Sequence, residues 1–127
     1  MISRPKFTED HAALLLLVYC EVEHKTRRDI IRKTYGRDVR HNNVFVTFNM
    51  GRTPDDMTSR MQKMIEDESK EYNDILQHNI IEHPWNMTLI TLAGLKWYQD
   101  ETSKIPYILQ TRSETFVNIE KWSYIFR

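Results

Sequence analysis

Four segments of the chain have the hydrophobic pattern of β-strands. Residues 13–19 are apolar throughout, as in a strand that is covered on both faces. Residues 43–51 are rich in β-branched and aromatic side chains, which favour strands. Residues 74–80 and 107–109 are shorter apolar segments. The pattern therefore predicts four strands spread along the chain.

The segments between these strands favour helices. In residues 24–36, Ile30, Ile31 and Thr34 share one side with Tyr35, and Gly36 supplies a C-terminal stop. A second helix is predicted to begin at residues 53–56, where Thr is followed by Pro and two acids. A mostly apolar stripe follows at helical spacing and is typical of core packing: Met57, Met61, Met64, Ile65, Glu68 and Tyr72.

Residues 86–98 are apolar on nearly every side, which predicts a buried helix. Residues 116–124 are predicted to begin another helix. Strands that alternate with helices imply right-handed βαβ units and a mainly parallel sheet. The predicted fold class is therefore α/β, with a Rossmann-like layout.

Composition narrows the classes of function. The chain has 127 residues, of which 40% are hydrophobic and 28% charged, so we expect one small folded domain. Its 18 basic and 18 acidic side chains balance, which argues against a nucleic-acid or anionic-membrane binder. The local basic cluster of Arg27, Arg28, Arg32 and Lys33 is interpreted as a solvated helix face. The longest apolar run, residues 12–20, is much shorter than the ~20 residues that span a bilayer.

Spacing alone identifies no chemistry. The five histidines lack the spacing of metal ligands, and no glycine-rich phosphate loop is present. A classical dinucleotide-binding domain is therefore not expected, and the order of elements alone leaves the function undecided.

Four sequence strings resemble motifs of the family 31 glycosyltransferases, the β-1,3-galactosyltransferase and β-1,3-N-acetylglucosaminyltransferase group. RRDIIRKTYG (residues 27–36) resembles R-R-x-A-I-R-x-T-W-G, and EDESKEYNDILQ (66–77) resembles E-x-E-x-x-x-Y-x-D-I-L-Q. NMTLITLAGLKW (86–97) is similar to N-L-T-L-K-T-L-x-G-L-x-W, and YILQTRSETFVNI (107–119) falls on Y-x-x-K-x-D-D-D-x-F-V-N. All four stand in the family's order and at its spacing.

This resemblance implies a GT-A fold, in which a Rossmann-like nucleotide-sugar half is joined to an acceptor-binding half. It implies a Golgi type II membrane enzyme that transfers a sugar from a UDP-sugar to an acceptor glycan hydroxyl with inversion, usually with manganese. A hard cation held by carboxylates would neutralise the departing diphosphate. No nucleic-acid partner is expected.

The family's three consecutive acids fall on Arg112, Ser113 and Glu114. Only Glu114 keeps a carboxylate, so it is the one predicted metal ligand, and Mn²⁺ binding is doubtful for this chain. Arg112 is predicted to bind the donor, and one interpretation is that it replaces the ion, because a fixed guanidinium can neutralise a phosphate. Other departures are Ile90 for the motif's lysine and residues 82–84 (Glu-His-Pro) for Asp-Ser-Tyr.

Three further residues are carried over from the motifs as donor-binding candidates. Arg28 and Arg32 are donor-site residues or only partners of neighbouring acids, and Asp74 contacts the uridine or ribose or only starts a strand. Asn86 begins a glycosylation sequon in form, but capping of the following helix is the favoured interpretation.

The resemblance also predicts the organisation of the chain. Residues 1–12 are expected to be an N-terminal tail, and residues 13–127 a partial GT-A domain without the acceptor-binding half, the catalytic base or the membrane anchor. No catalytic residue is therefore assigned, and the chain alone is expected to be inactive. The alternative is a non-catalytic binding or partner protein that kept the fold and lost the metal.

Overall fold

The computed structural model describes residues 2–5, 13–34, 44–54, 60–102 and 104–114. Its strands are β1 (Leu14–Tyr19), β2 (Val44–Arg52), β3 (Ile75–Ile81) and β4 (Tyr107–Arg112). Its helices are α1 (Lys25–Thr34), α2 (Arg60–Tyr72) and α3 (Met87–Glu101), with a short 3₁₀ helix (Pro84–Asn86) before α3. The predicted Gly36 stop, residues 55–56 of the predicted start of α2, Met57 and the predicted helix at 116–124 lie outside the described residues.

The four strands form one parallel sheet in the order β3-β2-β1-β4, with β1 in the interior. This confirms the α/β fold class, and the arrangement is consistent with a partial GT-A domain. The fourth strand is longer than predicted, because β4 pairs with β1 along its whole length, from Tyr107 opposite Leu14 to Arg112 opposite Tyr19. Near the N-terminus, Ser3 forms an antiparallel bridge with Gln77 of β3.

The side chains of β1 alternate between two hydrophobic layers, one on each face of the sheet. Leu14, Leu16 and Val18 pack in the layer that contains Ile31 of α1 and Ile65 of α2. On the other face, Leu15 and Leu17 pack with Trp97 of α3. The fully apolar sequence of β1 is explained by this burial on both sides.

The expectation that α3 is buried on nearly every side is wrong. The helix buries Ile90, Gly94 and Trp97 against the sheet, whereas Leu89 and Leu92 are 54% and 55% exposed. The prediction relied on hydrophobic composition, which does not show how many sides of a helix are covered. In the described part of the chain, only one side of α3 is covered. The predicted cap is also wrong: the Asn86 side chain makes no cap hydrogen bond and instead donates to the carbonyl of Ile81 at 2.8 Å.

The predicted core stripe of α2 is buried only in part. Ile65 and Glu68 are buried as predicted, together with Gln62, whereas Met61, Met64 and Tyr72 are exposed. The charged residue Glu68 thus takes a core position on this helix. The side chains that it contacts, described below, explain this position.

Gly94 permits a close approach between α3 and the sheet. A Cβ atom at this position would lie 2.5 Å from Nδ2 of Asn49 and 3.0 Å from Cδ2 of Leu17. Asn49 itself donates from Nδ2 to the carbonyl of Ile90 at 3.0 Å and contacts Nε2 of His78 at 2.7 Å.

Within the described residues, no helix is both long and apolar enough to cross a membrane.

Candidate functional site at the carboxyl end of the sheet

The carboxyl ends of β1 and β4 meet where the order of the strands reverses. From β1 the chain proceeds to β2 on one side, whereas β4 returns on the other side. Tyr19 and Arg112, the last residues of the two strands, are direct partners, and the next amide, of Ser113, donates to the carbonyl of Tyr19 at 3.0 Å. Open parallel sheets bind ligands at such a switch point.

A cavity of about 180 Å³ opens at this point, and we name it the sheet-end cavity. Its lining residues are Tyr19, Glu21, Glu82, His83, Pro84, Met87 and Arg112. A second cavity of about 340 Å³ shares Tyr19, Met87 and Arg112 with it and extends along α3 and β4. Together they offer room for a ligand larger than one ring.

Glu82 carries a carboxylate into the sheet-end cavity from the end of β3. Its amide donates to the carbonyl of Arg52 at 2.8 Å, which continues the parallel ladder, and its carboxylate accepts from the amide of Val22 at 3.0 Å. The side chain passes over Gly51, where a Cβ atom would lie 3.0 Å from Cγ of Glu82. Burial, together with the charge of Glu21, raises the pKa of Glu82 to about 7.

Tyr19 contributes a hydroxyl group to the same cavity. Burial raises the pKa of Tyr19 to about 12, and the carboxylates of Glu82 and Glu21 add to this effect. The phenol therefore stays protonated at neutral pH and keeps a hydrogen to donate.

Arg112 and Glu114 form an ion pair beside this cavity. Nε of Arg112 lies 2.9 Å from Oε1 of Glu114, and Nη1 of Arg27 lies 3.8 Å from its other oxygen. The pKa of Glu114 is lowered by a hydrogen bond from its own backbone amide and by the charge of Arg112. Both side chains of the Arg112–Glu114 pair are about half exposed, so the guanidinium remains accessible to a ligand.

These residues do not fit a divalent cation. A hard cation such as Mn²⁺ prefers about six oxygen ligands, several of them anionic. Glu114 offers one carboxylate, and two guanidinium groups lie within 4 Å of it. Ser113, whose hydroxyl donates to Glu114 at 3.3 Å, adds only one neutral oxygen, so these residues supply a single carboxylate where several are needed.

A second group of acids lies on the loop after β1. Glu21, Glu23 and His24 can bring one ligand atom each within 4.8 Å of one another. Exposed acids often lie together in this way, so these residues alone assign no metal.

One ion-pair network, which we name the buried charge cluster, joins the other predicted site residues (Arg28, Arg32 and Asp74) to Glu68. Nε of Arg28 lies 2.6 Å and its Nη2 2.9 Å from the carboxylate oxygens of Glu68. Arg32 binds both oxygens of Asp74 at 2.8 and 2.9 Å, and its Nη2 also reaches Glu68 at 2.7 Å. Burial would raise the pKa of Glu68, but the two guanidiniums hold it below its usual value.

The interpretation of the basic cluster as a solvated face is therefore wrong for Arg28, which is 1% exposed. Its Nη atoms donate to the carbonyls of Glu21 at 2.7 Å and Val22 at 3.0 Å. Arg28 thus holds the loop that carries one wall of the sheet-end cavity. The contacts of Arg28, Arg32 and Asp74 are those of a scaffold, and their predicted contact with a donor stays a prediction.

Three residues of these two regions were not among the predicted site residues: Tyr19, Glu82 and Glu68. Tyr19 and Glu82 could have been found, since each stands at the carboxyl end of a predicted strand. Glu68 matches the second acid of the E-x-E motif, but the sequence does not show that it is buried against a guanidinium 40 positions away.

Comparison with known proteins identifies the family of this chain. Residues 26–125 match the family model described as Galactosyltransferase. The chain belongs to this family. It is 32% identical over 123 residues to β-1,3-galactosyltransferase 2 of Homo sapiens, covering 94% of this chain and 29% of that protein. It is 29% identical over 128 residues to β-1,3-galactosyltransferase 1 of Mus musculus, covering 98% and 38%. The galactosyltransferase-family chain thus spans about a third of the length of these relatives.

Proposed function

We propose that this chain is the donor-binding part of a hexosyltransferase that uses a UDP-sugar, galactose or N-acetylglucosamine being the transferred group and a glycan hydroxyl the acceptor. Family membership and the names of the relatives support the reaction class. The observation that carries the proposal for this chain is Arg112, which lines the sheet-end cavity at the switch point of the sheet. The family resemblance also supports a Golgi location.

Arg112 is suited to bind the diphosphate of the donor. A guanidinium can donate two parallel hydrogen bonds to phosphate oxygens and keeps its charge at any physiological pH. In this position it would also stabilise the negative charge that develops on the departing UDP. Because Glu114 is its half-exposed partner, exchange of that surface ion pair for a phosphate costs little.

The other cavity residues fit the hydroxyl groups of the sugar. Tyr19 keeps a phenolic hydrogen to donate, and the carboxylates of Glu21 and Glu82 accept hydrogen bonds. Since the residues around Glu114 do not fit Mn²⁺, we propose that UDP binds here without the ion that the family resemblance implies.

Calorimetric titration of UDP, with and without Mn²⁺, tests this function. We expect binding that does not depend on Mn²⁺ and that weakens ten- to a hundredfold in Arg112→Gln, because a hydrogen bond to a charged group contributes about 1.5–3 kcal/mol. Lys96→Gln is the matched control, since it removes a surface cation from α3. Unchanged affinity in Arg112→Gln, or binding that needs Mn²⁺ and is lost in Glu114→Gln, would refute the role of Arg112.

A second candidate is a non-catalytic binding protein. It is favoured by Arg112 and Ser113, which stand where the family motif has acids. Under both candidates we expect the chain by itself to bind donor without transferring sugar, and release of UDP from a UDP-sugar, followed by chromatography, tests this shared expectation. The candidates differ for a protein that also contains an acceptor-binding half, which should release UDP only under the first. Turnover by the purified chain would contradict this expectation.

A further inference from the structure

Trp85 is exposed to an unusual degree. It lies in the 3₁₀ helix before α3, and 86% of its surface is accessible, the largest fraction among the exposed large hydrophobic residues in the described part of the chain. Exposed apolar surface of this size commonly marks a binding site. In an aromatic side chain it offers a flat face with a polar indole N–H at its edge.

The turn that carries Trp85 is held rigidly. The amide of Trp85 donates to Nδ1 of His83 at 3.2 Å, and the amide of Asn86 donates to the carbonyl of His83 at 2.8 Å. The side chain of Asn86 donates back to Ile81 of β3, and Pro84 restricts the first position of the turn. The indole is therefore presented on a fixed backbone, which lowers the entropic cost of binding.

Trp85 lies beside the sheet-end cavity, in contact with one of its lining residues, but is not itself among them. His83, Pro84 and Met87, which flank it in sequence, all line that cavity. The rings of His83 and Trp85 lie edge to face, with centroids 4.9 Å apart at 64°. Because Nδ1 of His83 accepts a hydrogen bond, the neutral ring carries its hydrogen on Nε2 and can donate it to a ligand.

We propose that Trp85 is a stacking platform for the pyranose ring of a hexose beside the sheet-end cavity. The C–H groups on one face of a pyranose are apolar and slightly positive, so they pack on the negative face of an indole. The hydroxyl groups at the rim of the same ring would meet Glu82, Glu21 and Tyr19. This inference rests on the proposed function, and the hexose is either the sugar of the donor or a unit of the acceptor glycan.

Two exposed leucines of α3 raise the competing interpretation that a protein partner, not a sugar, covers Trp85. Leu89 and Leu92 lie four and seven positions after Trp85, so a protein partner could cover all three. The sugar is favoured because the platform adjoins a cavity lined with carboxylates, a phenol and a guanidinium, which bind hydroxyl and phosphate groups.

The test compares Trp85→Ala, Trp85→Phe and the matched control Leu89→Ala by calorimetric titration with UDP, UDP-galactose and a disaccharide ending in a hexose. We expect Trp85→Ala to weaken binding of a sugar-bearing ligand about tenfold, Trp85→Phe to retain most of it, and Leu89→Ala to leave it unchanged. Binding of UDP should be the same in all three variants.

The pattern of loss identifies the source of the hexose. A loss confined to UDP-galactose supports stacking of the donor sugar, and a loss confined to the disaccharide supports the acceptor. If UDP fails to bind the parent chain while disaccharide binding still depends on Trp85, the proposed function fails and the platform stands. The platform is overturned if no sugar ligand binds, if Trp85→Ala binds every ligand as the parent does, or if Leu89→Ala loses as much as Trp85→Ala, as a protein-docking face predicts.

Discussion

The buried charge cluster and the sheet-end cavity contain the same kinds of side chain, but these side chains serve different roles in the two regions. In the cluster, two arginines and two acids bind one another at 2.6–2.9 Å. At the cavity, Glu82 and Arg112 face a space of about 180 Å³ from different strands. The cluster satisfies its charges within the protein, whereas the cavity leaves charged groups turned towards a possible ligand.

This difference separates structural from functional charge. A buried guanidinium is tolerated only when its donors are satisfied, and Arg28 achieves this with Glu68 and two loop carbonyls. The half-exposed Arg112 needs no such set of partners and can exchange one for another. The motif match alone treats both arginines as donor-site candidates, and only burial distinguishes them.

The largest effect is expected from breaking the buried charge cluster. Glu68→Gln would leave two guanidiniums with one carboxylate fewer, so we expect the free energy of unfolding to fall by about 3–5 kcal/mol. Urea denaturation measures this change. The control is Asp67→Asn, an exposed neighbour on α2, which should change stability by less than about 0.5 kcal/mol. Equal effects of the two substitutions would show that the cluster contributes no more than surface charge.

The fold was predictable to the extent that burial follows hydrophobic pattern. The run at β1 is apolar because both of its faces are covered, and the order of strands and helices implied a parallel sheet. The failures at Met64 and Leu92 share one cause. An apolar stripe shows that a helix has a face to cover, but it does not show whether anything in the described part of the chain covers it.

The candidate site was predictable only in part. Arg112 was found because a cation replaced a motif acid at the end of a strand. Glu82 was noted as a departure from the motif, yet its direction into the cavity depends on Gly51, which leaves room for the side chain to cross β2. The pairing of Arg28 with Glu68 joins positions 40 residues apart and requires the three-dimensional structure.

His78 is a buried titratable group outside the two regions, with Asn49 as its polar partner. Burial lowers the pKa of His78 to about 4, and Nε2 contacts Oδ1 of Asn49. Because the unfolded chain binds a proton near pH 6.5, stability is lost as the pH falls from 6.5 towards 4. We expect this residue to account for about 2 kcal/mol of loss between pH 7 and pH 5.

Urea denaturation of His78→Gln at both pH values checks this expectation. The amide of glutamine can donate to Asn49 but does not titrate, so this variant should lose about 2 kcal/mol less than the parent over the interval. Lys104→Gln, at an exposed position, is the control and should follow the parent. The same loss in His78→Gln as in the parent would rule out the neutral buried imidazole as its cause.

Glu82 should show the opposite dependence on pH, with a smaller amplitude. Its pKa of about 7 lies above the value near 4.5 of the unfolded chain, so its contribution to stability is complete below pH 4.5 and is lost as the pH rises through 7. The residue borders a cavity that water can enter, so we expect a change of only about 1 kcal/mol between pH 5 and pH 7.

Glu82→Gln keeps an oxygen for the amide of Val22 and removes the charge, so its stability should rise more steeply with pH than that of the parent. The same variant sharpens the contrast between the two regions. Ionised Glu82 repels an anionic ligand at Arg112, so UDP affinity should fall from pH 6 to pH 8 in the parent and less in Glu82→Gln. If both proteins lose affinity equally, the carboxylate of Glu82 does not face the bound UDP. The contrast between the sheet-end cavity and the buried charge cluster then fails for Glu82.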